Sequence, residues 1–407
     1  MLKDCRVVIT GLGVISSIGI GKDEFWSNLI IGKSGISKVS SFDTSTHFTH
    51  CGGEVKNFQP ERFIPFERLK LISRTTQMAI ASAKLAVKDA VLTQNDLANS
   101  KVSVSFGTTL GAAQTIEKID DIIVNKGYKE ISKRLFCQLP TYETPSGIAA
   151  EFKFNGSIFM FSTACAAGNY AICYGYDLIR LNRADIVFAG ASDSFSRIEF
   201  TGFNQLSAVA PQKCQPFDKN RKGMMLAEGA GVLILETLGN ALKRKAPIYA
   251  EILGYGLSCD AQHMTQPSVE GISQCIIKAM NEAGINKDDV DYISAHGTGT
   301  PANDRAECAA IKKVFGDRYG QIPVSSIKSM LGHTMGAASA IEAITCALVV
   351  KNDIIPPTIN FETPDPECDI DCVPNQARNH IVNIALNNSY AFGGNNASLV
   401  LKKFIKC

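Results

Sequence analysis

An internally duplicated α/β fold is what this sequence predicts, and three repeated patterns predict it. Val7 to Gly13, a strand with alternating glycines, returns as Ile248 to Gly256. The helix, linker and strand of Ser73–Val91, Gln94–Leu97 and Val102–Phe106 return as Ile276–Ala283, Asn286–Val290 and Tyr292–Ala295. The strand, turn and helix around Cys165 return at Pro323–Ser326, Leu331-Gly332-His333 and Ala337–Val350. Two runs of elements in one order argue for two similar halves related by a pseudo-twofold. The division falls at 1–246 and 247–407, near Ala246-Pro247, and Gln114 to Ala149 is an insertion with no second-half counterpart. Thr144-Pro145-Ser146-Gly147 is read as its closing turn, and the insertion as a lid or a subunit contact.

The elements follow in order. Arg6 to Gly19 reads as a strand entering a glycine-rich turn, but the third glycine of a dinucleotide-binding loop is Ser16 and no acidic second strand follows. A nicotinamide-dependent oxidoreductase built on Gly11-Leu12-Gly13 therefore has little support. Ile158 to Phe161 is a short apolar run expected to be a buried strand, and Ala166 to Leu181 is apolar on nearly every face, as a buried helix is. Cys165 stands at the turn between them. Small neighbours, Ala164, Ala166, Ala167 and Gly168, leave room for a substrate, and the helix's free N–H groups favour a thiolate there. Inert packing is the competing use of a buried cysteine.

Composition narrows the partners. The 407 residues are 45% hydrophobic, enough for a substantial core, and 41 basic against 39 acidic residues imply no general attraction to nucleic acid or to an anionic membrane. No apolar leader is expected at the N-terminus and no later stretch is expected to span a bilayer, so a cytoplasmic protein is expected. The thirteen cysteines are scattered except Cys368 and Cys372, which reads as reduced thiols and as no metal site. Arg62, Arg68, Lys70 and Arg74 form a local basic cluster, either a docking patch for an acidic protein or a solvated face.

Of six histidines, His296 and His333 lie in glycine-rich surroundings suited to meeting a ligand. His47 and His50 have metal-pair spacing but lack a third ligand, and read as a solvated loop. Thr298 and Thr300 place hydroxyls beside His296, Lys328 precedes His333, and Glu307 and Glu342 follow the two histidines at helical distance as candidate orienting groups. The loop Asn388-Ser389-Tyr390-Ala391-Phe392-Gly393-Gly394 can bring N–H groups close to a bound atom, with Phe392 as a gate.

Together, Thr163-Ala164-Cys165, His296-Gly297-Thr298-Gly299-Thr300-Pro301, Lys328 with Gly332-His333-Thr334, and Asn388-Ser389 with Phe392-Gly393-Gly394 resemble the motifs of elongating β-ketoacyl-acyl-carrier-protein synthases. The resemblance runs the length of the chain. It implies the thiolase fold, five layers αβαβα, and a decarboxylative condensation of malonyl-carrier protein with an acyl group on Cys165. It implies His296 and His333 as hydrogen-bond donors to the malonyl thioester, Lys328 and Glu307 as a supporting pair, and Thr298 and Thr300 on the phosphopantetheine arm. It further implies the N–H groups of Cys165 and Phe392 as the oxyanion site, with Gly393 in the gate, and Leu110 and Phe203 in the acyl pocket. No cofactor beyond carrier-bound phosphopantetheine is implied, and the partners are an acyl carrier protein and a second, identical or homologous, subunit. A fatty-acyl or a polyketide or polyene chain fits equally. The alternative within the family is a non-catalytic partner of the chain-length-factor type, against which Cys165 and both histidines speak. Ala391 and Asn395 depart from the usual gate and make its motion and substrate range the open points.

Overall fold

The computed structural model describes residues 5–405. Ten principal strands are β1 Val7–Ser16, β2 Val102–Gly107, β3 Ile158–Phe161, β4 Ile186–Asp193, β5 Gly229–Thr237, β6 Ala250–Cys259, β7 Tyr292–Ser294, β8 Val324–Ser325, β9 Ile384–Tyr390 and β10 Asn395–Lys403. Their hydrogen-bonded order is β8-β7-β9-β10-β6-β1-β5-β4-β2-β3. Five strands before residue 247 stand on one side of the β6–β1 junction and five after it on the other, in mirrored sequence. That junction is short, three antiparallel pairs from Val7 with Ile252 to Ile9 with Ala250.

The helices complete the layers. Eight of them bear on the layers and the site: α1 Arg74–Asp89, α2 Ala113–Lys126, α3 Glu143–Phe152, α4 Ala167–Arg180, α5 Arg197–Gln205, α6 Val269–Ala283, α7 Pro301–Phe315 and α8 Ala338–Asn352. Helices α4 and α8 touch each other and strands of both halves, so they form the middle layer; α1 covers β1 and β5 on one outer face, and α6 covers β6 and β10 on the other. This is the five-layered αβαβα arrangement. Nearly every residue of α8 is buried, in keeping with its apolar composition. Met335–Asn352 is long and apolar enough to cross a membrane, contrary to the expectation from the sequence, but 89% of it is buried among the other elements.

The structure revises three elements. Gly11 and Gly13 do not form a turn: β1 continues through both, its register against β5 shifting between Ile9 and Gly11. A Cβ at Gly11 would stand 2.3 Å from the Ala86 carbonyl oxygen, and one at Gly13 would stand 1.9 Å from that of Ser82, so the glycines let α1 lie against the strand. Gly256 does the same in the second half, where a Cβ would stand 2.1 Å from the Cys275 carbonyl oxygen of α6. The repeated glycines therefore record a repeated helix–strand contact. Secondly, Thr144–Gly147 is helical, within α3, which packs on α1 as α7 packs on α6. The segment without a counterpart thus centres on α2 and the short helix Lys133–Phe136, and ends before α3. Thirdly, β3 is half-buried rather than buried, because it is the end strand of the order and has a neighbour on one side only.

Candidate active site

After β3 the chain makes a single 3-10 turn, Ala164–Ala166, and enters α4. Ala164 is held at φ 46°, which swings Cys165 inward, where it is 7% exposed. The Ser389 hydroxyl at the end of β9 donates to the Cys165 carbonyl at 2.9 Å, fastening this turn to the second half. Gly168 allows α4 to meet α8, since a Cβ there would stand 2.6 Å from the Ala340 nitrogen.

Both motif histidines come from the second half. His296 lies just beyond β7, and its N–H and that of Gly297 each donate to the Glu307 carboxylate on α7 at 2.8 Å. His333 follows the short helix Lys328–Leu331. Its Nδ1 accepts from the Met335 N–H at 3.1 Å, which leaves the ring proton on Nε2. That Nε2 is buried without a hydrogen-bond partner, as is Nδ1 of His296. The rings stand 5.5 Å apart, nearly perpendicular at 83°, and the Cys165 sulfur and a nitrogen of each ring lie within 4.8 Å of one another. One thiol and two imidazoles, each with one unpartnered nitrogen, thus converge on one point.

Burial sets the charge of this trio. It pushes the Cys165 thiol up to about 12, with the Lys328 ammonium opposing. The thiolate favoured by the sequence argument is therefore not the resting form. Burial, then Lys328, holds both imidazoles well below 6.5, with His333 adding to the effect on His296. The trio rests as a neutral thiol with two neutral rings. Its spacing suits a metal ion geometrically, but a protonated thiol beside an ammonium is a poor cation site.

Lys328 is 1% exposed and ion-paired with Glu342 of α8, not with Glu307 as the resemblance implied. Glu307 instead holds the His296 loop through its backbone, and burial pushes its carboxyl up to about 7. One buried acid escaped the sequence reading. Asp193, at the end of β4, accepts from the Thr108 hydroxyl at 2.6 Å and from the Gly336 N–H at 2.8 Å, joining the two halves behind Cys165. Its signal was an acidic residue closing an otherwise apolar strand.

A cavity of about 350 Å3 opens from this point, lined by Leu110, Phe203, Thr298, Thr300 and Phe392 as well as Cys165, His296 and His333. The Thr298 and Thr300 hydroxyls hydrogen-bond to each other at 2.8 Å. Phe392 lies 5.8 Å from Phe203, ring to ring. Gly393 is not on the wall; at φ 81° it supplies the left-handed step that turns Phe392 in, and its N–H donates to the Met264 carbonyl at 2.8 Å. Ala391 has φ −106°, extended backbone that alanine adopts freely, so its replacement of glycine leaves the loop geometry unhindered. The basic cluster is dispersed: Arg74 pairs with buried Glu228 and Arg68 with Glu151, while Arg62 and Lys70 are exposed. His47 packs edge-on against Phe200 and meets the Thr201 hydroxyl, rather than standing in a solvated loop.

Comparison with known proteins is consistent along the chain. Residues 4–241 match the family model for the beta-ketoacyl synthase N-terminal domain, and residues 249–362 match that for its C-terminal domain. A 3-oxoacyl-[acyl-carrier-protein] synthase 2 of Synechocystis is 37% identical over 99% of both chains, and one of Staphylococcus aureus is 39% identical over 99% of this chain and all of that one. Among solved structures, the ishigamide ketosynthase/chain length factor superposes with a TM-score of 0.96 at 43% identity, over 98% of this chain and all of that one. A type II polyketide synthase acyl-carrier protein in complex with its ketosynthase bound to the hexaketide gives 0.90 at 34% identity, with the same coverage.

Proposed function

The chain belongs to the beta-ketoacyl synthase family and is a condensing acyltransferase, and from that premise we propose how its residues divide the work. The first half, 1–246, supplies the nucleophile and the second, 247–407, the two histidines. The observation that carries this reading is the convergence of Cys165 with two neutral imidazoles, each with one unpartnered nitrogen, at an apolar cavity.

In the first step the Cys165 sulfur bonds to the acyl carbonyl carbon of an acyl-carrier-protein thioester. The thiol proton leaves through an imidazole to the departing phosphopantetheine sulfur, so the high thiol pKa is met at the moment of attack rather than beforehand. The N–H groups of Cys165 and Phe392 hold the oxyanion. Malonyl-carrier protein then enters, its arm along Thr298 and Thr300. Its bond to the carboxylate breaks, CO2 departs, and the electron pair forms an enolate whose oxygen receives hydrogen bonds from the ring N–H groups of His296 and His333. Neutral rings donate without carrying a proton that would quench the carbanion. That carbanion attacks the acyl-Cys165 carbonyl, the sulfur leaves and takes a proton from solvent, and a β-ketoacyl chain remains on the carrier. Burial first, and then the charge of Lys328, locked by Glu342, keep both rings neutral. The acyl chain lies along Leu110 and Phe203, with Phe392 and Gly393 as the gate.

The carrier's phosphopantetheine is the prosthetic group the reaction needs, and the enzyme works in the cytoplasm as a dimer with an identical or a homologous subunit. A non-catalytic chain-length-factor role does not fit a chain retaining Cys165 and both histidines. Intact-mass spectrometry tests the reading: an acyl adduct on the wild type, absent from Cys165→Ala and discharged by malonyl-carrier protein as a β-ketoacyl product, is the expected result. Failure of every acyl-carrier protein to form that adduct overturns it.

A further inference from the structure

The cavity beside Cys165 is apolar along most of its wall, yet, besides a ring nitrogen each of His296 and His333 and the Tyr390 hydroxyl, two polar atoms on residues lining it have no partner. One is Oε1 of Glu199, the third residue of α5, whose side chain is buried with 7% of the residue exposed. Its other oxygen, Oε2, accepts from the Ser196 hydroxyl at 3.0 Å, and the same hydroxyl accepts from the Glu199 N–H at 3.2 Å. Burial, reinforced by the Asp193 carboxyl and by Glu117, holds Glu199 well above the usual carboxylate range. With Oε2 occupied as an acceptor, the acid's proton belongs on Oε1, where it is an unused donor. The second atom is the hydroxyl oxygen of Thr109. Its backbone N–H is committed to Asp193 at 2.9 Å, but its side chain is not.

The condensation described above gives neither group a task. Capping α5 does not explain Glu199, because Ser196 alone caps that helix and uses one carboxyl oxygen at most. Both atoms are already shut off from water, and a saturated hydrocarbon in this cavity leaves them without a partner, which disfavours it. An oxygen atom on the chain accepts the free proton. We propose that the pocket is built for an acyl chain carrying an oxo or hydroxyl group along its length, and that Glu199, with Thr109, selects that oxygen. This rests on Cys165 being the residue acylated. A site that hydrogen-bonds a substrate oxygen discriminates strongly against the analogue lacking it, whereas an apolar wall tells neighbouring chain lengths apart only weakly.

The test compares initial rates of Cys165 acylation, read by intact mass, from octanoyl-carrier protein and from a set of oxo-octanoyl-carrier proteins with the oxo group at successive carbons. The wild type is expected to prefer one oxo position over octanoyl by about tenfold or more. Glu199→Leu brings that ratio to about one. Glu199→Gln, which retains an N–H donor in the same shape, keeps most of it, and Thr109→Val lowers it in part; these two carry the test if the leucine variant fails to fold. A wild type that takes octanoyl as fast as every oxo chain overturns the proposal while leaving the condensing reading intact. So does a ratio unchanged in the variants. A wild type acylated by neither kind of chain overturns both.

Discussion

The turn that carries Cys165 and the turn that follows His333 are two copies of one device. Each is a single 3-10 turn entered through a left-handed residue, Ala164 at φ 46° in one and Met335 at φ 53° in the other, and each delivers the chain into a central helix. They differ in what occupies the middle. The first turn holds Cys165; the second holds Gly336, whose N–H is taken by Asp193 and where a Cβ would stand 2.7 Å from that carboxylate. Duplication preserved the backbone path and divided the chemistry: one copy presents a nucleophile, and the other became a brace that positions a histidine three residues earlier.

Substitutions can break that comparison at either end. Cys165→Ala removes all acylation while leaving thermal unfolding within a few degrees of wild type. Gly336→Ala is expected to do the reverse in origin, forcing the turn off Asp193 and lowering Tm as well as activity, which paired calorimetry and acylation assays would separate. Next in size is the loss of a ring: His296→Ala or His333→Ala should cut condensation about 10^2 to 10^4-fold, measured as product release from preacylated enzyme, with acylation less affected. Lys328→Met leaves Glu342 buried without its ammonium and should cost about 3–5 kcal/mol in stability, readable from urea unfolding, whereas Lys328→Met with Glu342→Leu recovers much of it.

A pH profile sharpens the contrast between the neutral rings and ordinary histidine. Because both folded values lie well below 6.5, the rings gain protons only under acid, so the NMR shifts of their carbon-bound ring protons should stay level as pH falls through 6.5 and move only below it. A midpoint at 6.5 or above would refute the neutral-pair assignment. The smallest effect expected is from Ala391→Gly, at most about threefold on turnover, because φ −106° makes no demand for glycine.

The duplication was legible because it repeats in strand order, helix position and glycine spacing, all of which are local patterns. The cause of the glycines was not: a close helix–strand approach and a tight turn leave the same signature in sequence, and only the position of α1 against β1 separates them. Cys165, His296 and His333 were legible through small neighbours that serve a crowded, substrate-facing backbone. Lys328's partner was misread because two glutamates, Glu307 and Glu342, lie at similar spacing behind motif histidines, and which one faces the ammonium depends on how α7 and α8 pack. Asp193 and Glu199 were passed over since a lone acidic residue after a strand or in a first helical turn is most often an ordinary surface group.

Helix α8 has a bearing on how this chain is made. Its residues come late in the sequence, its composition approaches that of a bilayer-spanning segment, and it is sheltered only when strands from both halves have assembled around it. Until then a newly synthesised chain exposes a sticky apolar cylinder whose contacts are distant in sequence, the circumstance that slows folding and invites aggregation. Yield from expression should therefore respond to chaperone supply and growth temperature more than to any substitution at the surface.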